Sequence, residues 1–186
     1  MEQNPDKYLV SEVLSGNKEA FIKLIRQYEG LVLHIVTPLV GITEDREDIC
    51  QDIFIKVYEK LDTFRFQAKL GTWIGNIAYN TAVNFLKKSK RFSFGEYEDE
   101  FHGEIADDDQ SPLLIREEDI GLLNNAIEQL GELQRTVIVL FYKEELSLED
   151  INIVMEIPIN TIKSHLFRAR QALKKIIQQT RDNEGL

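Results

Sequence analysis

Apolar residues recur along this 186-residue chain at the three-to-four-residue spacing of amphipathic helices. No stretch alternates with the period of two that a half-buried strand requires. The pattern predicts helices over roughly 7–15 and 18–37, with Asp6 and Asn17 as N-caps and Gly16 between them. Pro38 and Gly41 are expected to end the second. Carboxylates in residues 44–48 open the next helix, where the macrodipole favours them, and Ile49, Ile53, Val57 and Leu61 form its core stripe. After the loop "TFRFQAKLG", Thr72 is the expected cap of a helix running to about Lys90, with Trp73, Ile77 and Val83 turned inward.

Periodicity is lost over 92–118, "FSFGEYEDEFHGEIADDDQSPLLIREE", which reads as a mostly disordered linker. It resumes from 119 in "DIGLLNNAIEQL", "GELQRTVIVLFYKEE" and "SLEDINIVM". Ser147 and Asp150 resemble a capping box, Leu148, Ile151, Val154 and Met155 face inward, and "EIPI" breaks that helix. Asn160 or Thr161 is expected to cap the next, whose apolar face is Ile162, Leu166, Ala169 and Leu173. The expected fold class is all-α: two small helical domains, 1–91 and 119–186, joined by a flexible acidic linker.

Charge sharpens this picture. The net charge is −10, yet residues 63–91 and 158–181 each hold six Lys/Arg and no carboxylate. Two acid-free basic islands thus close the two halves, with eleven Asp/Glu against one Arg in 92–120 between them. A polyanion meets this local pattern rather than the overall charge. Cys50 is the sole cysteine, so no intrachain disulfide forms, and the three histidines lie far apart with no zinc spacing. The polar, acidic N-terminus does not look like a signal peptide, and no apolar run approaches the roughly 20 residues of a membrane span. A cytoplasmic protein is expected, with no cofactor, no metal and no membrane insertion.

A short capped helix, a tight turn and a longer basic helix make a helix-turn-helix, which sets the first turn of its second helix in the DNA major groove. Thr161, Lys163, Ser164 and His165 are then nearest base edges or phosphates, while Arg168 and Arg170 contact backbone. An amphipathic helix with a merely solvated charged face is the plain rival. Phe167, on the basic face, is expected to cover a neighbouring helix.

The stretch "LGELQR", "LSLEDI", "NTIKSHLFRARQAL" resembles the promoter-reading region four of bacterial extracytoplasmic-function (ECF) sigma factors. Gly131 stands where that family usually has Pro, Glu156 and Asn160 where Gly is common, Asn152 where Ala is usual, and His165 where Arg is usual. Asn160 can take a positive φ nearly as well as glycine. In the first half, "AFIKLIRQYEGLV", "EDREDICQDIFIKVYEKLDTF" and "GTWIGNIAYNTAVNFLKKSKR" are similar to successive parts of sigma region two. The resemblance implies that Asp48, Gln51, Asp52 and Phe54 bind the clamp helices of core RNA polymerase. It implies that Phe66, Trp73, Asn76, Tyr79, Asn80, Asn84, Lys87 and Lys88 open and read the −10 element as single strand. Stacking surfaces, amides and a positive track suit that task. Asn160 joins Thr161, Lys163, Ser164, His165, Arg168 and Arg170 in reading the −35 duplex. Asn84 replaces a frequent Asp, and Gly71 and Gly75 replace bulkier residues.

The resemblance implies a transcription initiation factor that does no bond chemistry, partnered by core polymerase (including its flap region), promoter DNA and an anti-sigma factor, which can be membrane-anchored. A helix-turn-helix regulator that leaves the sigma subunit in place, or a helical protein-binding adaptor, are the alternatives. An enzyme is disfavoured because no nucleophile–base pair or metal set assembles from the residue types and spacings. The acidic run 96–109 with His102 has no fixed ligand spacing.

Overall fold

The computed structural model describes residues 5–41, 44–88 and 120–184; the linker expected over 92–118 lies outside them. All regular elements among the described residues are helical. The first half contains α1 (Pro5–Leu14), α2 (Lys18–Val40), α3 (Glu44–Lys60), a short 3-10 turn (Leu61–Thr63) and α4 (Leu70–Lys88). The second contains α5 (Ile120–Glu128), α6 (Glu132–Ile138), a π-turn (Val139–Lys143), α7 (Leu148–Met155) and α8 (Ile159–Glu184).

α2 is the hub of the first half, packing on α1, α3 and α4. Its Leu24, Val32, Ile35 and Val36 are fully enclosed, as are Ile53 and Val57 of α3 and Ile74, Ala78 and Ala82 of α4. The predicted stripe Ile49, Ile53, Val57, Leu61 is buried throughout, each such side chain contributing about 1.5–3 kcal/mol through burial. In the second half Ile162, Leu166, Ala169 and Leu173 are buried as their spacing requires, and α8 is held by α5, α6 and α7.

Several local expectations are corrected. α1 begins at Pro5, which suits a first helical position because it has no N–H to leave unpaired; Asp6 is therefore inside the first turn, not the cap. Asn17 does cap α2, its side chain accepting from the amides of Glu19 and Ala20. Pro38 does not stop α2, which continues to Val40. One missing donor near a C-terminus is a small loss, Pro38 is itself buried, and the Gly41 amide closes the last turn on the Thr37 carbonyl at 2.9 Å. α4 starts at Leu70, so Thr72 is not a cap.

The helix-turn-helix is present as α7, a turn and α8. The Ser147 side chain accepts from the Asp150 amide at 3.0 Å, and its hydroxyl donates to the Asp150 carboxylate at 3.1 Å, so half of the capping box forms. Asn160 and Thr161 lie within the first turn of α8, which begins at Ile159 after Pro158. The left-handed residue of the turn is Glu156 (φ 57°, ψ 35°), not Asn160. Its amide returns to the Asn152 carbonyl at 2.9 Å, and the Asn152 side chain donates to the Ile157 carbonyl at 2.7 Å.

The two halves do not stand apart. α4 packs on α7 and α2 on α6, and the two interiors form one connected apolar cluster. Gly75 makes the approach close: a Cβ there would lie 3.0 Å from a Val154 methyl.

Candidate functional site

Three surfaces carry the residues singled out from the sequence. On α3, Asp48, Gln51 and Asp52 are all exposed and share one face at i, i+3, i+4. Phe54 does not join them. It is buried beside Ile53 in the core, because it lies on the opposite, apolar side of the helix. The exposed stripe is continued instead by Ile55 and Tyr58, 55% and 51% exposed, at i+4 and i+7 from Gln51. Sequence reasoning passed over both, although two apolar groups in phase with a polar stripe were a readable signal. Tyr58 is steadied by an edge contact with Phe21, ring centroids 4.9 Å apart. Cys50, half-buried on the same helix, is no activated thiol: burial pushes it up, Arg46 opposes this and Glu47 adds to it.

The second surface is α4 and the loop before it. Phe66 holds φ 57° with its ring exposed, an uncommon conformation for a bulky residue. Its ring lies 4.6 Å from that of Phe64, which meets Trp73 at 5.3 Å, and the Lys7 ammonium is 5.7 Å from its centroid. Trp73 is half-buried within this cluster. Tyr79 is buried in the core and offers no free face to a base. Asn76 and Asn80 are half-buried, while Asn84, Lys87 and Lys88 are exposed further along.

The third surface opens α8. Asn160 and Arg168 are exposed, Lys163, His165, Phe167 and Arg170 half-buried, and Thr161 and Ser164 buried. The Ser164 hydroxyl donates to the Asn160 carbonyl at 2.9 Å, a bond internal to the helix. The Arg170 Nε donates to the Tyr142 hydroxyl at 2.8 Å, and its guanidinium lies over the Phe141 and Tyr142 rings at 5.9 and 5.6 Å. Arg170 thereby fastens α8 to the π-turn, a packing role that charge alone did not reveal.

Polar groups join the halves. The Thr72 hydroxyl and the Lys69 ammonium donate to Asp150 at 2.8 and 3.1 Å. Burial opposes ionisation of Asp150 most strongly, but hydrogen bonds from Thr72, Lys69 and Ser147 and the Lys69 charge together hold its pKa below the ordinary value. Asn76 and Asn80 donate to the Glu156 carboxylate at 2.8 and 3.0 Å, and Asn76 also to the Ile153 carbonyl at 2.9 Å. These amides hold the Glu156 carboxyl down as well. His34 pairs with Glu144. Neither a group of three or more His, Cys, Asp or Glu able to hold a metal ion, nor a helix long and apolar enough to cross a membrane, occurs among the described residues.

Residues 24–92 match the family description Sigma-70 region 2, and residues 120–173 match Sigma-70, region 4. The RNA polymerase sigma-H factor of Pseudomonas aeruginosa is 36% identical over 96% of this chain and 96% of its own length. The ECF RNA polymerase sigma-E factor of Escherichia coli K12 is 34% identical over 95% of this chain and 96% of its own. Among solved structures, the sigma factor RpoE in complex with the anti-sigma factor NepR from Bartonella quintana superposes with a TM-score of 0.63 at 25% identity, covering 85% of this chain and 96% of that one. CnrH, solved with the cytosolic domain of CnrY, shares the fold, with a TM-score of 0.62 at 21% identity over 94% of this chain and 97% of that one. Matches to both regions, in order and across nearly the whole length of its relatives, mean that this chain belongs to the ECF sigma factors, transcription initiation factors that direct RNA polymerase to promoters.

Proposed function

We propose that the first half (1–91) holds core RNA polymerase and opens the −10 element, that the second (119–186) reads the −35 element as duplex, and that residues 92–118 link them. The observation that carries this reading is the separation of surfaces by chemistry. The exposed α3 stripe offers carboxylates and two apolar side chains, whereas the α4 and α8 faces lie in the two acid-free islands. The α3 stripe suits a basic, partly apolar protein surface such as a polymerase clamp, with Asp48, Gln51 and Asp52 as polar contacts and Ile55 and Tyr58 replacing Phe54 as the apolar anchors. Phe66, Trp73, Asn76, Asn80, Asn84, Lys87 and Lys88 supply rings, amides and cations for an unpaired strand; buried Tyr79 is left to support them. On α8, Asn160, Lys163, His165 and Arg168 are the groups assigned to duplex DNA. Thr161 and Ser164 are buried in the first turns of α8, and Arg170 ties the helix to the π-turn.

An anti-sigma factor is the regulatory partner this reading expects, since the similar RpoE was solved with one. The site of action is the cytoplasm, where core polymerase works. Run-off transcription with core polymerase on a genomic promoter library tests the proposal. Specific initiation above core alone is expected; its absence, together with absence of core binding, overturns it.

A further inference from the structure

Glu156 combines two oddities. It holds a left-handed φ of 57° at the turn between α7 and α8, a conformation that disfavours a side-chain-bearing residue roughly tenfold or more relative to glycine. Its side chain is also spent outside its own half, accepting from the amides of Asn76 at 2.8 Å and Asn80 at 3.0 Å on α4. These are two of the donors assigned above to unpaired −10 bases. Asn76 is further engaged by the Ile153 carbonyl at 2.9 Å, which is one of the orphan acceptors at the end of α7.

The other polar ties across the boundary, which lie beside its apolar contacts, have the same character. Asp150 takes the Lys69 ammonium and the Thr72 hydroxyl, and Glu144 takes His34. Three carboxylates of the second half therefore occupy donors and cations of the first, as nucleic-acid phosphates or base acceptors would. Only Glu156 does so at the expense of backbone strain, and strain persists where the surroundings over-determine it.

We propose that Glu156 is an autoinhibitory latch: it caps Asn76 and Asn80 in the closed chain and withholds the −10 face until the two halves are drawn apart. The role in promoter reading rests on the assignment of α4 above; the closure itself does not.

The latch is tested on the full chain with Glu156→Gly, which relieves the left-handed strain while removing the carboxylate, and Glu156→Gln, which keeps the strain and one acceptor oxygen. Small-angle scattering of the free protein reads closure. Affinity for fluorescent, mixed-sequence single-stranded DNA reads access to α4, and multi-round transcription with core polymerase reads function. Glu156→Gly is expected to enlarge the scattering radius and to raise single-strand affinity by about tenfold, the effect of losing a charge-assisted hydrogen bond. Glu156→Gln should lie between it and the parent. A Glu156→Gly scattering profile that superposes on the parent's overturns the latch, as does expansion with no gain in single-strand affinity. Expansion and tighter single-strand binding without promoter-dependent transcription by any of the three proteins would uphold the latch and overturn the promoter assignment instead.

Discussion

The Thr72 hydroxyl donates to the Asp150 carboxylate at 2.8 Å, and both residues are buried where α4 meets α7. A carboxylate so enclosed is tolerable only while its donors remain. Thr72→Val keeps the shape and removes the donor, so it should destabilise the folded chain by about 1–3 kcal/mol. In a double-mutant cycle with Asp150→Asn the losses should be less than additive, and full additivity in denaturant melts would show that the pair is not coupled.

The same carboxylates make closure acid-sensitive. Asp150 and Glu156 both have lowered pKa values in the folded chain, so the opened or unfolded chain takes up protons first as pH falls. Their stabilising contribution is complete above the ordinary carboxylate range and is lost as pH drops through it toward the folded values. Scattering and denaturant melts from pH 7 to about pH 3 should therefore show loosening that begins near pH ~4. A flat profile across that window would contradict it.

Two substitutions on α3 should separate packing from docking. Phe54→Ala empties a buried site and should cost about 3–5 kcal/mol of stability. Asp52→Arg reverses an exposed charge and should leave the melting temperature nearly unchanged while weakening core polymerase binding by at least about tenfold. Tyr58→Ala should resemble Asp52→Arg rather than Phe54→Ala. Equal effects of all three on the melting temperature would argue against the stripe.

Lys163→Glu should reduce −35-dependent initiation while binding to core polymerase persists. Because Lys163 neutralises a phosphate in this reading, removing its charge with Lys163→Gln should also flatten the salt dependence of promoter binding by about one counterion. Loss of both activities together would mark Lys163 as structural.

The helices were legible because burial on one face leaves a periodic trace: Ile49 to Leu61 and Ile162 to Leu173 could be read from spacing, and both stripes are buried. Site residues were legible only as faces. Phe54 and Tyr79 have chemistry that suits a partner, but the helix turns them inward. Pro38 looked terminal because its cost is local, while the burial that offsets it is not. Thr72 resembled a cap, and its true acceptor lies 78 residues away. Glu156 departs from the glycine common at that position, yet its meaning depends on two amides of α4. Polar pairs that meet only after folding leave no period in a sequence.

The junction of α4 and α7 is lined by hydroxyl, amide, ammonium and carboxylate groups around the short Gly75–Val154 contact. Such groups regain water bonds when they part, which offsets only part of the cost of exposing the apolar residues that the same junction buries, Val154 and Ile35 among them. A seam built this way favours one placement of α7 on α4, because any other leaves the Asp150 carboxylate enclosed without the donors that hold it.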